Sequence, residues 1–305
     1  MKPYLQLMRP ANIVTAVADI MAGVSLCYYV PKNASLVGGV LKSTWNLLSF
    51  PVFDLPYLIL ATIGLYGGGV VLNDFFDADL DKIERPERPI PSGKVSKQEA
   101  GLFGLGLLVM GVASAFKVSM LSGFIALSVA LLAVLYDYKG KHYAFFAPIN
   151  MGMCRGGNLL LGASIVASNV YHFWFLAFIP IVYIAAITMV SRGEVHGGNK
   201  DNLKLGLLMY AAVVISLGLL MFFYSKDFWA VPFLLLFAYF IFPPLAKAMN
   251  EPLPANIMQA VKSGVISLII LDATLVTIFA NWYLGVVVLC FIFLSRHWAK
   301  TFAVT

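Results

Sequence analysis

A chain of 305 residues that is 60% hydrophobic and only 12% charged, with a mean hydropathy of +0.85, is too apolar for a water-soluble domain. It reads as one polytopic membrane domain over 1–305, surrounded by membrane lipids. The net charge of +6 does not mark a nucleic-acid partner, because Lys and Arg sit in the links between apolar runs rather than in a stripe.

Segment length predicts ten apolar helices, at 11–30, 55–76, 98–117, 121–137, 145–166, 172–191, 203–224, 228–248, 257–280 and 282–299. The first begins after Lys2 and Arg9 as a signal peptide would, but at about 20 apolar residues it is expected to remain as a helix. With the N-terminus in the cytoplasm, most of the 21 Lys and Arg fall on the cytoplasmic side, and only Lys32, Lys42, Lys117 and Lys226 fall outside. Tyr28, Tyr29, Trp45, Tyr57, Tyr171, Trp174, Tyr224, Trp229, Trp282 and Tyr283 collect near the outer ends as an interfacial belt. Cys27, Cys154 and Cys290 are isolated in apolar runs and are read as small apolar residues.

In chain order, the first polar feature is Arg9-Pro10-Ala11-Asn12. It is either a snorkelling Arg with a helix start or part of a substrate site. Asp19 follows inside the first segment, and Arg155, Asn158 and Asp272 lie inside later ones. Ionisable groups at that depth face a partner or a cavity, so Arg155 either pairs with Asp19 or Asp272 or lines the cavity. Gly67-Gly68-Gly69 either lets helices pack closely or lets the backbone approach a ligand, with close packing the favoured reading.

The chain is organised around Asn73 to Lys94, which gathers acids and cations in a chain that is otherwise mostly apolar and follows the apolar run Leu58–Leu72 without a break. Asn73, Asp77 and Asp81 recur every four residues. On a continuing helix each step rises roughly 6 Å and turns about 40°, which places three oxygen-bearing side chains on one face. Such carboxylates repel unless a cation neutralises them. Oxygen donors with room for water suit Mg²⁺ bound together with phosphate oxygens. Asp74 joins the donor set, and Lys82, Arg85, Arg88 and Lys94 suit the remaining phosphate charge. Pro86, Pro89 and Pro91 end the helix in a loop.

The run Asn73-Asp74-x-x-Asp77-x-x-x-Asp81, followed by Arg88-Pro89-Ile90-Pro91-Ser92-Gly93, resembles the first aspartate motif of the UbiA superfamily of intramembrane prenyltransferases. That resemblance implies an all-α membrane bundle, Mg²⁺ as cofactor, a prenyl diphosphate donor and an acceptor it does not identify. Under it, Arg9 and Asn12 correspond to the family's first-helix Arg-x-x-Asn element, and Tyr136 and Lys139 to its Tyr and Lys that reach the diphosphate. The second aspartate motif is expected after the sixth segment, within Ser191-Arg192-Gly193-Glu194-Val195-His196-Gly197-Gly198-Asn199-Lys200-Asp201. Here the chain departs from the family pattern, because Glu194 is followed four residues later by Gly198. Glu194 and Asp201 stand as acids for metal or acceptor, and Arg192, His196 and Lys200 as substrate contacts. The phrase from Ser191 to Lys200 resembles the EboC-like branch. The expected activity is Mg²⁺-dependent prenyl transfer; the alternative is a non-enzymatic carrier on the same bundle. A phosphatidyl-type alcohol phosphotransferase is disfavoured, since its Asp-Gly-x-x-Ala-Arg signature is absent from the sequence.

Overall fold

The structure, a computed structural model, describes residues 2–29, 53–140, 143, 146–192, 200–225 and 228–302. Among these the regular elements are all helical. We label them α1 (Lys2–Met8), α2 (Pro10–Ser25), α3 (Leu55–Phe76), α4 (Ala78–Glu84), α5 (Lys97–Val118), α6 (Met120–Tyr138), α7 (Phe146–Ala163), α8 (Ala167–Phe173), α9 (Phe178–Ser191), α10 (Lys200–Tyr224), α11 (Ala230–Asn250), α12 (Pro254–Phe279), α13 (Trp282–Leu289) and α14 (Phe291–Phe302). Short 3₁₀ turns extend α2 and join α8 to α9.

Nine described stretches are long and apolar enough to cross a membrane. The predicted segment 145–166 is not among them, although it forms α7 over 18 residues. That length spans about 27 Å, close to a hydrocarbon core. Asn150, Arg155, Asn158 and several glycines lower its apolarity. All ten predicted segments are therefore realised as helices. The last is jointed at Cys290 into α13 and α14, and it packs back on α2 through Ser295, whose Oγ donates to Ala11 O at 2.9 Å.

Local chemistry explains the helix limits. Ser96 and Glu99 cap the start of α5 reciprocally, Glu99 N donating to Ser96 Oγ at 3.2 Å and Ser96 N to Glu99 Oε2 at 3.0 Å. The single extended residue Ser119 turns the chain into α6 and caps it, with Ser122 N donating to its Oγ at 3.0 Å. Pro244 inside α11 removes an N–H from Phe240 O, and Ser263 of α12 supplies the missing donor at 2.6 Å.

Successive helices pack side by side, and α12 returns to α2, which also touches α3 and α7. That makes α2 and α12 the most enclosed spans. The crossing of α2 with α7 is close: a Cβ on Gly23 would collide with the α7 backbone at Leu159, and one on Gly162 with the α2 backbone at Ile20. Gly68 packs likewise against α5, 2.8 Å from Gly104 O for an added Cβ, which bears out the packing reading of the glycine run. Outward-facing Leu102, Leu105 and Val109 of α5, and Leu131 of α6, leave apolar surface for lipid.

Candidate active site

The predicted helix does run through the acidic stretch. Asp77 N bonds Asn73 O at 2.9 Å, Asp81 N bonds Asp77 O at 2.8 Å and Arg85 N bonds Asp81 O at 2.9 Å. The backbone thus keeps its one-turn step from the last turn of α3 across Asp77 into α4.

The side chains divide into two groups rather than sharing one face. Asn73 Nδ2 donates to Asp137 Oδ1 at the end of α6, at 2.9 Å. Tyr136 lies near both Asp77 and Asp137, and Cys154 of α7 lies near Asp137. Asp81 instead joins Asp74: Arg88 Nη1 sits 2.6 Å from Asp81 Oδ2 and 3.2 Å from Asp74 Oδ1. Helix geometry gives the reason. Two four-residue steps turn Asp81 roughly 80° away from Asn73, whereas the seven residues from Asp74 to Asp81 bring it within about 20° of Asp74.

Arg9 reaches the same oxygen of Asp74, with Nη2 2.6 Å from Oδ1. It sits at the break between α1 and α2 in the left-handed region, φ 50° and ψ 67°. Pro10 disfavours a helical residue before it, and the αL conformation costs a non-glycine residue about 1–2 kcal/mol. The bend places the guanidinium on Asp74 instead of letting it snorkel away. Asn12, three residues on, is half-buried.

The proline loop returns Arg88 to the acids. Ile90 and Val95 are buried against Leu7, Val71, Ala78 and Ala100, Val95 N bonds Pro89 O at 3.2 Å, and Gly93 takes φ 74° at the turn. Arg88 is consequently buried with Asp74 and Asp81.

The other predicted cations lie outside this pair of acids. Lys82 bonds Asp79 at 2.9 Å and Lys97 bonds the same residue at 3.0 Å. This exposed trio holds the Asp79 carboxyl down at about 2, mainly through the Lys82 hydrogen bond. Arg85 and Lys94 are exposed, and Lys139 lies over the Tyr138 ring at 5.2 Å. Arg192, Lys200 and Asp201 are exposed, with Lys204 Nζ 3.8 Å from Asp201 Oδ1. Glu194 and His196 lie outside the described residues. Sequence reasoning assigned no role to Asp137 or Asn150, both of which are buried here. Asn150 Oδ1 lies 3.7 Å from Cys154 Sγ, the donor in that contact, and among the described residues its Nδ2 has no partner. The signal for each was a lone polar residue in or beside an apolar run.

Among the described residues no three His, Cys, Asp or Glu side chains form a ready cation site. The donors nevertheless fit a hard divalent ion. All are oxygens, and one cation, Arg88, already bridges two of the carboxyls. In that arrangement Asp74 and Asp81 balance Arg9 and Arg88, so an incoming anion would meet two guanidiniums already held in place.

The profile of the UbiA prenyltransferase family matches residues 36–248. A digeranylgeranylglyceryl phosphate synthase of Methanococcoides burtonii is 34% identical over 54% of this chain and 55% of its own length. One of Methanosarcina mazei is 31% identical over 64% of this chain and 63% of its own. The match thus spans about half to under two thirds of these relatives. Among solved structures, a UbiA homolog from Aeropyrum pernix aligns with a TM-score of 0.68 at 17% identity, covering 86% of this chain and 96% of that one. A UbiA homolog from Archaeoglobus fulgidus bound to DMAPP and Mg²⁺ aligns with a TM-score of 0.61 at 15% identity, covering 95% and 99%. At those identities the structural likeness establishes the all-helical fold.

Proposed function

The chain belongs to the UbiA prenyltransferase family, and from that premise we propose that it transfers a prenyl group from a prenyl diphosphate to an acceptor inside the membrane. The observation that carries this reading is the buried Asp74–Arg88–Asp81 bridge joined by Arg9, at the head of an apolar bundle.

Asn73, Asp74, Asp77 and Asp81 are the residues that would hold Mg²⁺, with Glu194 as the candidate from the second motif. When bound with the diphosphate, Mg²⁺ supplies positive charge against the leaving group. Arg88 and Arg9 are placed to trade carboxylate oxygens for phosphate oxygens as substrate arrives, keeping every buried charge paired. Tyr136 lies near Asp77 and Asn12 remains a candidate substrate contact, while Arg85, Lys94, Lys139, Arg192 and Lys200 are exposed cations that would draw the diphosphate in. The apolar bundle holds the isoprenoid chain and excludes water from the allylic centre. Asp201, Glu194 and His196 remain candidates for orienting the acceptor.

Purified protein given Mg²⁺ and geranyl, farnesyl or geranylgeranyl diphosphate is expected to release diphosphate when an acceptor is supplied. The relatives' name directs the first acceptor trial to a glyceryl phosphate carrying one geranylgeranyl chain. Binding of donor with no release under any acceptor would favour the carrier reading.

We also propose that the Arg9/Asp74 end of the bundle is cytoplasmic, because Lys and Arg concentrate in its links. In right-side-out vesicles, Lys94→Cys and Lys200→Cys should resist an impermeant thiol reagent. Outside labelling of either one would refute the orientation.

A further inference from the structure

Ten residues along α2 from Arg9, about 15 Å deeper into the bundle, lies a second group of charges. Asp19 of α2, Arg155 of α7 and Asp272 of α12 are buried, both acids completely. Arg155 Nε sits 2.6 Å from Asp19 Oδ2. Asn158 Nδ2 donates to that same oxygen at 2.9 Å and to Ala16 O at 2.8 Å. Thr62 Oγ1 fixes Asn158 by donating to its Oδ1 at 2.8 Å. The close crossing at Gly23 and Gly162 brings the two backbones near enough for these bonds.

Asp272 stands beside Asp19 in this group, completely buried and with no hydrogen-bond partner for either oxygen among the described residues. Two further titratable groups border the cluster. The Tyr66 ring lies 5.9 Å from the Arg155 guanidinium carbon. The Tyr183 hydroxyl stands near Asp272 but donates to Gly264 O at 2.8 Å, away from it.

With both acids ionised the hydrogen bonds do not close. Carboxylates only accept, and among the described residues Asp19 Oδ1 and both oxygens of Asp272 have no donor, while on Arg155 two nitrogens, Nε and Nη2, are without a hydrogen-bonded acceptor against these three oxygens. One guanidinium would also face two anions, leaving a net negative charge among apolar side chains, which is costly. A single proton between the carboxyls removes the charge imbalance and supplies a donor where neither acid has one to offer. It turns one acid into a donor and brings the three groups to net zero. We propose that Asp19, Asp272 and Arg155 form a proton-binding site in the core of the bundle, one proton being shared by the two carboxyls while Arg155 balances the remaining charge. The proton comes from water, and only O–H bonds change. The site is separate from the Asp74/Asp81 group and links the packing of α2, α7 and α12 to its protonation.

Infrared spectroscopy of the full chain in lipid nanodiscs tests this directly. At neutral pH the wild type should show the C=O stretch of a protonated carboxyl, shifted in D₂O. That band should be lost in Asp272→Asn and in Asp19→Asn, since a shared proton needs both acids. Each single variant should still unfold cooperatively, because Arg155 keeps one counter-charge, whereas the double Asn variant should not. If Asp272→Asn fails to fold, Asp19→Asn alone makes the assignment. The proposal is overturned if the wild type shows no such band, if the band survives in the folded variants, or if sodium alone abolishes it in the wild type, which would make this a metal-cation site.

Discussion

Replacing Asp77 or Asp81 by Ala is expected to cut diphosphate release by about 10²–10³-fold or more, equivalent to about 3–4 kcal/mol of lost transition-state stabilisation. The two losses should differ in origin. Asp77→Ala removes a half-buried carboxyl beside Tyr136 and Asp137. Asp81→Ala also frees Arg88 from its 2.6 Å partner, so part of its effect should appear as weaker donor binding or lower thermal stability. Glu194→Ala should do less damage, because its motif has Gly198 where the family pattern has a second acid. Variants are compared by diphosphate release after a thermal-shift check of folding. Wild-type turnover in folded Asp77→Ala and Asp81→Ala would remove the metal assignment.

Arg88→Ala is expected to be the most destabilising change at the site. It leaves Asp81 buried without its guanidinium and Asp74 with Arg9 alone. Removing one partner of a buried ion pair costs about 3–5 kcal/mol, and the remaining Arg9 contact should hold the loss toward the lower end. Arg88→Lys should recover part of the stability but less of the activity, since an ammonium lacks the planar fork that takes phosphate oxygens two at a time. Thermal unfolding in detergent together with donor KM separates the two effects. A folded Arg88→Ala protein with unchanged melting temperature and KM would show that the bridge matters to neither.

The comparison of expectation with structure is most instructive at Asp81. A four-residue step suggested one line of ligands from Asn73 to Asp81, and the backbone follows that step. Spacing alone does not tell which side of a helix finds a partner. The accumulated turn, the Arg88 loop and the end of α6 distribute the acids between Asp74 and Asp137. Lys82 shows the same limit: adjacency in sequence suggested the phosphate site, but Asp79 three residues away holds it.

The sequence by itself determined the membrane class, the ten helical segments and the residue types at the head of the bundle. Hydrophobic length, proline breaks and clustered charge are local properties that a bilayer sorts without help from tertiary contacts. Only the tertiary structure decided that Arg9, 65 residues from Asp74, joins the acids, that Asp137 belongs with Asn73, and that Arg155 chooses Asp19 with Asp272 alongside. Each pairing depends on how closely helices cross and which faces meet. That is settled by glycine contacts such as Gly23 with Leu159 and by the cost of leaving any charge unpaired in an apolar interior.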